Sequence, residues 1–173
     1  MVLDESLLLT ALLIHDHGEG EIKKDTLYID KTVEGDVNEY IAFQKRYSSL
    51  DAGLYRDFER AFLLQFSLKN STAFPESARS IMNNLAVQNR NECLVFDIIE
   101  RLDYILYAFE QYVDRGNVKI LVQTLRHQMS HLDRLSVDVT GFGEVIWTQD
   151  VRESFQVFLQ KHEGQWVEQK GEK

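Results

Sequence analysis

The sequence predicts an all-α protein, a helical bundle of about six to seven helices. Three observations carry this reading. Pro75 is the single proline in 173 residues, so almost nothing interrupts helical backbone. Apolar residues recur three and four apart through most of the chain, the period of a helix with one buried face. The clearest runs stop at glycine or asparagine, residues that end helices by accepting the left-handed conformation. The length suits one domain of roughly 150 residues, placed at 1–162 with a polar tail at 163–173. A chain of this size can bury roughly 70% of its unfolded surface, so the fold needs no disulfide or structural zinc.

The elements follow in order. Asp4 or Ser6 caps a first helix through Leu7, Leu8, Ala11, Leu12 and His15, which Gly18 and Gly20 terminate. From Glu21 to about Gly35 the charged, β-branched and aperiodic stretch reads as a long structured loop. Asp36 to about Ser48 reads as a helix with Val37, Tyr40, Ile41 and Phe43 inward, and Leu54 to Phe66 as the next, ending near Asn70 and Ser71. Pro75 opens a helix continued by Ile81, Leu85 and Val87. The strongest periodicity runs from Leu94 to about Tyr112, through Ile98, Leu102, Ile105, Leu106 and Phe109, and stops at Gly116-Asn117. Two more helices are expected, at about Val118–Leu135 and Asp150–Lys161. Trp147 reads as the anchor that packs the intervening segment onto the bundle.

Charge narrows the function classes. The formal net charge is −9, which argues against nucleic-acid polymers and anionic membrane surfaces as partners. A nucleotide stays compatible, because a local metal or cationic pocket can outweigh the global field. The single Cys93 lies among Leu94, Val95 and Phe96 and reads as a buried, reduced thiol of a cytoplasmic protein. The apolar run Leu7–Ile14 follows Asp4 and Glu5 instead of basic residues and is far shorter than the ~20 residues of a membrane span.

The sharpest local feature is His15-Asp16-His17-Gly18-Glu19 at the end of the first apolar helix. An imidazole and an adjacent carboxylate at a helix end can turn toward one divalent cation. Glu19, three residues beyond Asp16, is placed to move a proton beside it. His127 and His131 form an i, i+4 pair, but without the glutamate of a zinc-protease motif they read as surface residues. Tyr104, Tyr107, Phe109 and Tyr112 read as core and pocket wall.

The segment Ala11 to Glu19 resembles the central motif of the HD superfamily of metal-dependent phosphohydrolases, in the His-Asp-x-x-Glu form of the branch that includes the 5′-deoxynucleotidases. That branch continues with an Asp and a Lys, matched by Asp25 and Lys31 once one inserted residue is allowed. Its second motif is similar to Ile99-Glu100-Arg101-Leu102-Asp103-Tyr104, then Glu110, then Gly116-Asn117. The resemblance covers about residues 5 to 120. It implies an HD-like helical bundle holding a divalent metal ion (Mn²⁺, Co²⁺, Mg²⁺ or similar), with His15, Asp16 and Glu100 as ligands. Glu19 becomes the proton-transfer carboxylate, and Asp25 and Lys31 line the substrate side, Lys31 as a point charge for phosphate.

Glu100 stands where the family has an Asp, with Asp97 and Asp103 as alternatives three residues either side. Met1 to Ile14 contain neither His nor Arg, whereas the family's first ligand is a His on an earlier helix, often accompanied by an Arg. The resemblance therefore implies either an N-terminally shortened member or a degenerate member with an incomplete site. The leading expectation is hydrolysis of a nucleotide or similar small phosphomonoester, in a chain that can form a homodimer to cover the groove a missing first helix would leave. The alternatives are a catalytically impaired helical binding or scaffolding module of the same fold, and an unrelated acidic bundle that mediates protein contacts.

Overall fold

The computed structural model describes residues 2–18, 32–69 and 72–163. Every element among them is helical: α1 Glu5–Ile14, α2 Val33–Tyr47, α3 Ala52–Leu63 with a 3-10 turn at Leu64–Phe66, α4 Glu76–Gln88, α5 Arg90–Arg115, α6 Val118–Asp138, α7 Phe142–Val145 and α8 Gln149–Lys161. None is long and apolar enough to cross a membrane. The all-α class is as expected. The chain divides into two compact units, Met1–Phe96 and Asp97–Lys173.

Each helix start has a local cause. Asp4 caps α1 by accepting from the Leu7 N–H at 3.0 Å, and Pro75 stands immediately before α4, where its missing N–H is harmless. Helix α2 begins three residues earlier than its periodicity suggests, because Thr32 Oγ1 accepts from Gly35 N at 3.1 Å and so recruits Val33 from the expected loop. Asp51 caps α3, its Oδ1 accepting from Gly53 N at 2.9 Å and Leu54 N at 3.1 Å. Asp51→Ala is expected to lower unfolding stability by about 1 kcal/mol, read by urea denaturation; no change would show that the cap is replaceable by water.

In the first unit α3 is the hub, packing on α1, α2 and α4. Its Ala61, Phe62 and Leu63 meet Leu7, Leu8, Ala11 and Ile14 of α1, Tyr40 and Phe43 of α2, and Ala78, Met82 and Leu85 of α4 in one buried cluster with Phe66, Phe74, Cys93 and Phe96. Burial pushes the Cys93 thiol up to about 11, the inert state expected of a structural cysteine. Tyr40 is fully buried, yet its hydroxyl is satisfied: it donates to Glu59 Oε1 at 2.6 Å and accepts from Gln44 at 2.9 Å. Burial and the Glu59 carboxylate hold Tyr40 well above the usual tyrosine range. It therefore stays a donor at any pH the fold meets.

One inward assignment is corrected. Ile41 is exposed; Ala42 joins the expected Tyr40 and Phe43 on the inward face of α2, with Asp36 and Glu39 also buried.

In the second unit α6 buries Leu121, Leu125, Gln128, Leu132 and Leu135 along one face and packs against α7 and α8. Helix α5 ends as expected: Gly116 adopts φ +64°, while the Gly116 and Asn117 N–H groups donate back to Tyr112 and Gln111 carbonyls. Trp147 is 1% exposed, and its Nε1 donates to Asp133 Oδ1 at 2.7 Å. Its ring lies tilted against Phe155 of α8, centroids 5.8 Å apart at 46°, which makes it the anchor the sequence suggests. Helix α7, a single turn entered through Gly141 at φ +87°, was not anticipated.

Candidate functional site

The His15-Asp16 pair lies where α1 stops. The last helical bond closes from His15 N to Ala11 O at 3.0 Å, and the His15 carbonyl beyond it accepts from Gln65 Nε2 at 3.2 Å. Gln65 also donates to Phe62 O, so the end of α1 is tied to the end of α3. The His15 ring stands edge-on to Phe96, with centroids 5.6 Å apart at 82°. Its Nδ1 lies 2.8 Å from the Leu12 carbonyl oxygen. A carbonyl only accepts, so Nδ1 carries the proton and Nε2 of a neutral ring is the lone-pair nitrogen.

That nitrogen is 3.2 Å from Asp16 Oδ2. Two electron pairs facing each other at this distance are reconciled by one positive charge between them, a proton or a cation. Donors sharing one ion at about 2.1 Å stand about 3.0 to 3.4 Å apart, from octahedral to tetrahedral geometry. With the proton on Nε2 the contact is an ion pair; without it, the spacing is one that two ligands of a divalent metal also take. The His15 side chain is 21% exposed and that of Asp16 66%.

Beyond the pair, His17 Nδ1 is hydrogen-bonded to the Tyr47 hydroxyl, and the two rings stack with centroids 6.0 Å apart. Burial, with the Arg46 charge behind it, holds the His17 imidazole below its usual range, so it is neutral at physiological pH. Gly18, expected to end the first helix, does something else. The helix has stopped at Ile14, His17 and Gly18 are again helical and Gly18 is buried. A Cβ there would lie 2.5 Å from the Glu39 carbonyl oxygen. Its role is close approach to α2.

The first turn of α2 carries buried Asp36, which receives Lys69 Nζ at 3.0 Å on Oδ2; the helix N-terminus also favours that negative charge. The residues Glu19, Asp25 and Lys31, like Gly20 and the tail from Gly164, lie outside the described residues.

Glu100 belongs to the second unit, on α5, where it is half-buried and accepts from Tyr104 at 3.4 Å. Of its alternatives, Asp97 is engaged with Arg101 at 2.9 Å, and Arg101 also donates to the buried Gln128 at 2.7 Å. Residues four apart share a helix face, which sets Asp97 beside Arg101. Asp103 is exposed. His127 is exposed as expected, whereas His131 is half-buried. Its Nδ1 accepts from Arg134, and burial with Arg101 and Arg134 nearby keeps it below the ordinary histidine range.

Among the described residues, no three His, Cys, Asp or Glu side chains converge as a metal-binding group. The structure therefore brings together His15 and Asp16 of the expected ligands and adds His17, Tyr47 and Gln65 around them. His17 was legible as part of the motif; Tyr47 and Gln65, 30 and 50 residues further along, had no local signal. No protein-family model matches the chain, and searches of curated proteins and of solved structures found no match.

Proposed function

We propose that the chain is a divalent-metal-dependent phosphohydrolase of the HD type, acting on a nucleotide or a similar small phosphomonoester. The observation that supports it most directly is the His15 Nε2–Asp16 Oδ2 pair at 3.2 Å, with the imidazole tautomer fixed by Leu12 so that its lone pair faces the carboxylate. In this reading His15 and Asp16 hold the cation. A bound divalent ion would supply Lewis acidity toward a phosphoryl oxygen and lower the pKa of coordinated water. The chain's own residues do the rest. Leu12 and Phe96 orient the imidazole, Gln65 fixes the backbone beneath it, and Glu19 moves the proton. Lys31 offsets phosphate charge and Asp25 orients the substrate.

The test is a metal titration followed by thermal melting. Excess Mn²⁺ or Co²⁺ is expected to raise the Tm of the wild-type protein and to leave His15→Ala and Asp16→Ala unmoved. Metal at about a hundredfold its Kd adds about 2.7 kcal/mol to the folded state. Phosphate release from nucleoside monophosphates should require the metal and be lost in Glu19→Gln. Equal melting with and without metal, together with no phosphate released, would leave a helical binding or scaffolding module in place of an enzyme.

A further inference from the structure

Helix α5 carries two apolar rows, and only one is used by its own unit. Ile98, Ile105 and Ala108 are buried. A second row, Ile99, Leu102, Leu106, Phe109 and Val113, follows at alternating three- and four-residue spacing over about 21 Å of helix. This is the a/d pattern of a helix seam, yet it is open: Leu106 is 62% exposed, Val113 71%, and Ile99 and Phe109 36% each. Of the residues expected as core and pocket wall, Tyr107, 51% exposed, and Phe109 are not core. Single exposed apolar residues need no explanation, but four in seam register, with half-buried Leu102 between them, form a contiguous patch of the kind that marks an interaction site. Helix α8 covers one margin, Phe155 against Phe109 and Phe158 against Tyr112, and itself buries no residue fully.

The opposite margin says what kind of partner fits. At helical period, Asp103, Glu110 and Asp114 border the open row, and all three are exposed. The nearest guanidinium of the second unit on this helix, Arg101, is turned to Asp97 and Gln128, and at helical period Arg115 falls on the side away from the open row. The row is therefore an apolar seam with an acidic border. Two copies paired antiparallel would set Asp103, Glu110 and Asp114 of one against the same residues of the other, a like-charge arrangement that selects against self-association.

We propose that the Ile99–Val113 face of α5 docks an amphipathic helix from a partner protein, apolar along one stripe and rich in lysine or arginine along its flank. The proposal is independent of the metal site.

The probe is a labelled synthetic helical peptide with leucines at alternating three- and four-residue spacing and lysines on the flanking positions, titrated with the full chain by fluorescence anisotropy. Two comparators are used: the same peptide with glutamates on the flanks, and a composition-matched scramble without the stripe. The basic striped peptide is expected to bind saturably and more weakly as salt rises. Leu106→Asp should reduce its affinity by at least about tenfold, as loss of a central anchor does. Asp103→Lys with Glu110→Lys should shift the preference toward the acidic peptide. Unchanged circular dichroism verifies that these surface variants fold. Equal binding of striped and scrambled peptides, no saturable binding, or no effect of the variants would overturn the proposal. So would sedimentation showing a dimer of the chain alone that Leu106→Asp dissociates, which would assign the face to a second copy.

Discussion

Phe62→Ala is expected to destabilise the first unit by about 3–5 kcal/mol, the range for removing a buried phenyl ring from a packed core. Phe62 is fully buried on the helix that packs against three others. Its ring stacks on Phe43 at 4.2 Å and 18°, meets Phe66 edge-on at 5.7 Å, and lies 6.5 Å from Tyr40. Alanine would leave a void bordered by two helices and the 3-10 turn, whose backbones are already held by other contacts and so cannot collapse into it. The aromatic geometry adds about 0.5–1.5 kcal/mol per pair beyond burial, so Phe62→Leu should recover only part of the loss. Leu13→Ala, at a position 75% exposed, is the control and should change stability by no more than about 0.5 kcal/mol.

Urea denaturation followed by far-UV circular dichroism measures both. Tryptophan fluorescence does not suit the purpose, since Trp147 and Trp166 both belong to Asp97–Lys173. A loss below about 1.5 kcal/mol for Phe62→Ala, the usual limit for volume-conserving swaps, would mean that the aromatic cluster is not the centre of this core.

How much of this was legible in the sequence depends on the range of the interaction. The stop of α5 at Gly116 and the start of α4 after Pro75 are local backbone chemistry, and both were readable. Period alone does not give phase where apolar residues surround a helix. On α5 the rows through Ile105 and through Leu106 are equally periodic, and only packing decides that the first is buried and the second open. The start of α2 was missed because Thr32 and Val33 look like strand or loop residues by propensity, while the capping bond to Gly35 overrides propensity. The Arg101–Asp97 pair is legible from spacing alone, since residues four apart share a helix face. The His15-Asp16 adjacency was plain, and its chemistry followed from residue types. What sequence could not supply was the surround: Tyr47 on His17, Gln65 under His15 and Glu39 against Gly18 are long-range contacts with no periodic signature.

Gly18→Ala tests the last of these contacts and carries the second large effect. The added methyl would lie 2.5 Å from the Glu39 oxygen and 3.0 Å from its carbonyl carbon and Cα. These are backbone atoms, so no side-chain rotation relieves the overlap; either α2 or the chain after His15 must move. Overpacking of this kind costs about 1–3 kcal/mol, and more where the neighbour is rigid. Backbone torsion is not the reason for glycine here, since the positive-φ glycines among the described residues are Gly116 and Gly141.

That distinction supplies the comparison. Gly116→Ala meets nothing within 4 Å but sits at φ +64°, so it should cost about 1–2 kcal/mol through left-handed strain alone. The two substitutions separate further in the metal titration. Gly18 is two residues from Asp16, so moving its segment disturbs the His15–Asp16 spacing, and the metal-dependent rise in Tm should shrink. Gly116→Ala lowers the starting Tm and should leave that rise intact. A Gly18→Ala protein with wild-type urea stability and an undiminished metal response would mean that α2 yields at little cost, and that its contact with Gly18 does not set the position of the His-Asp pair.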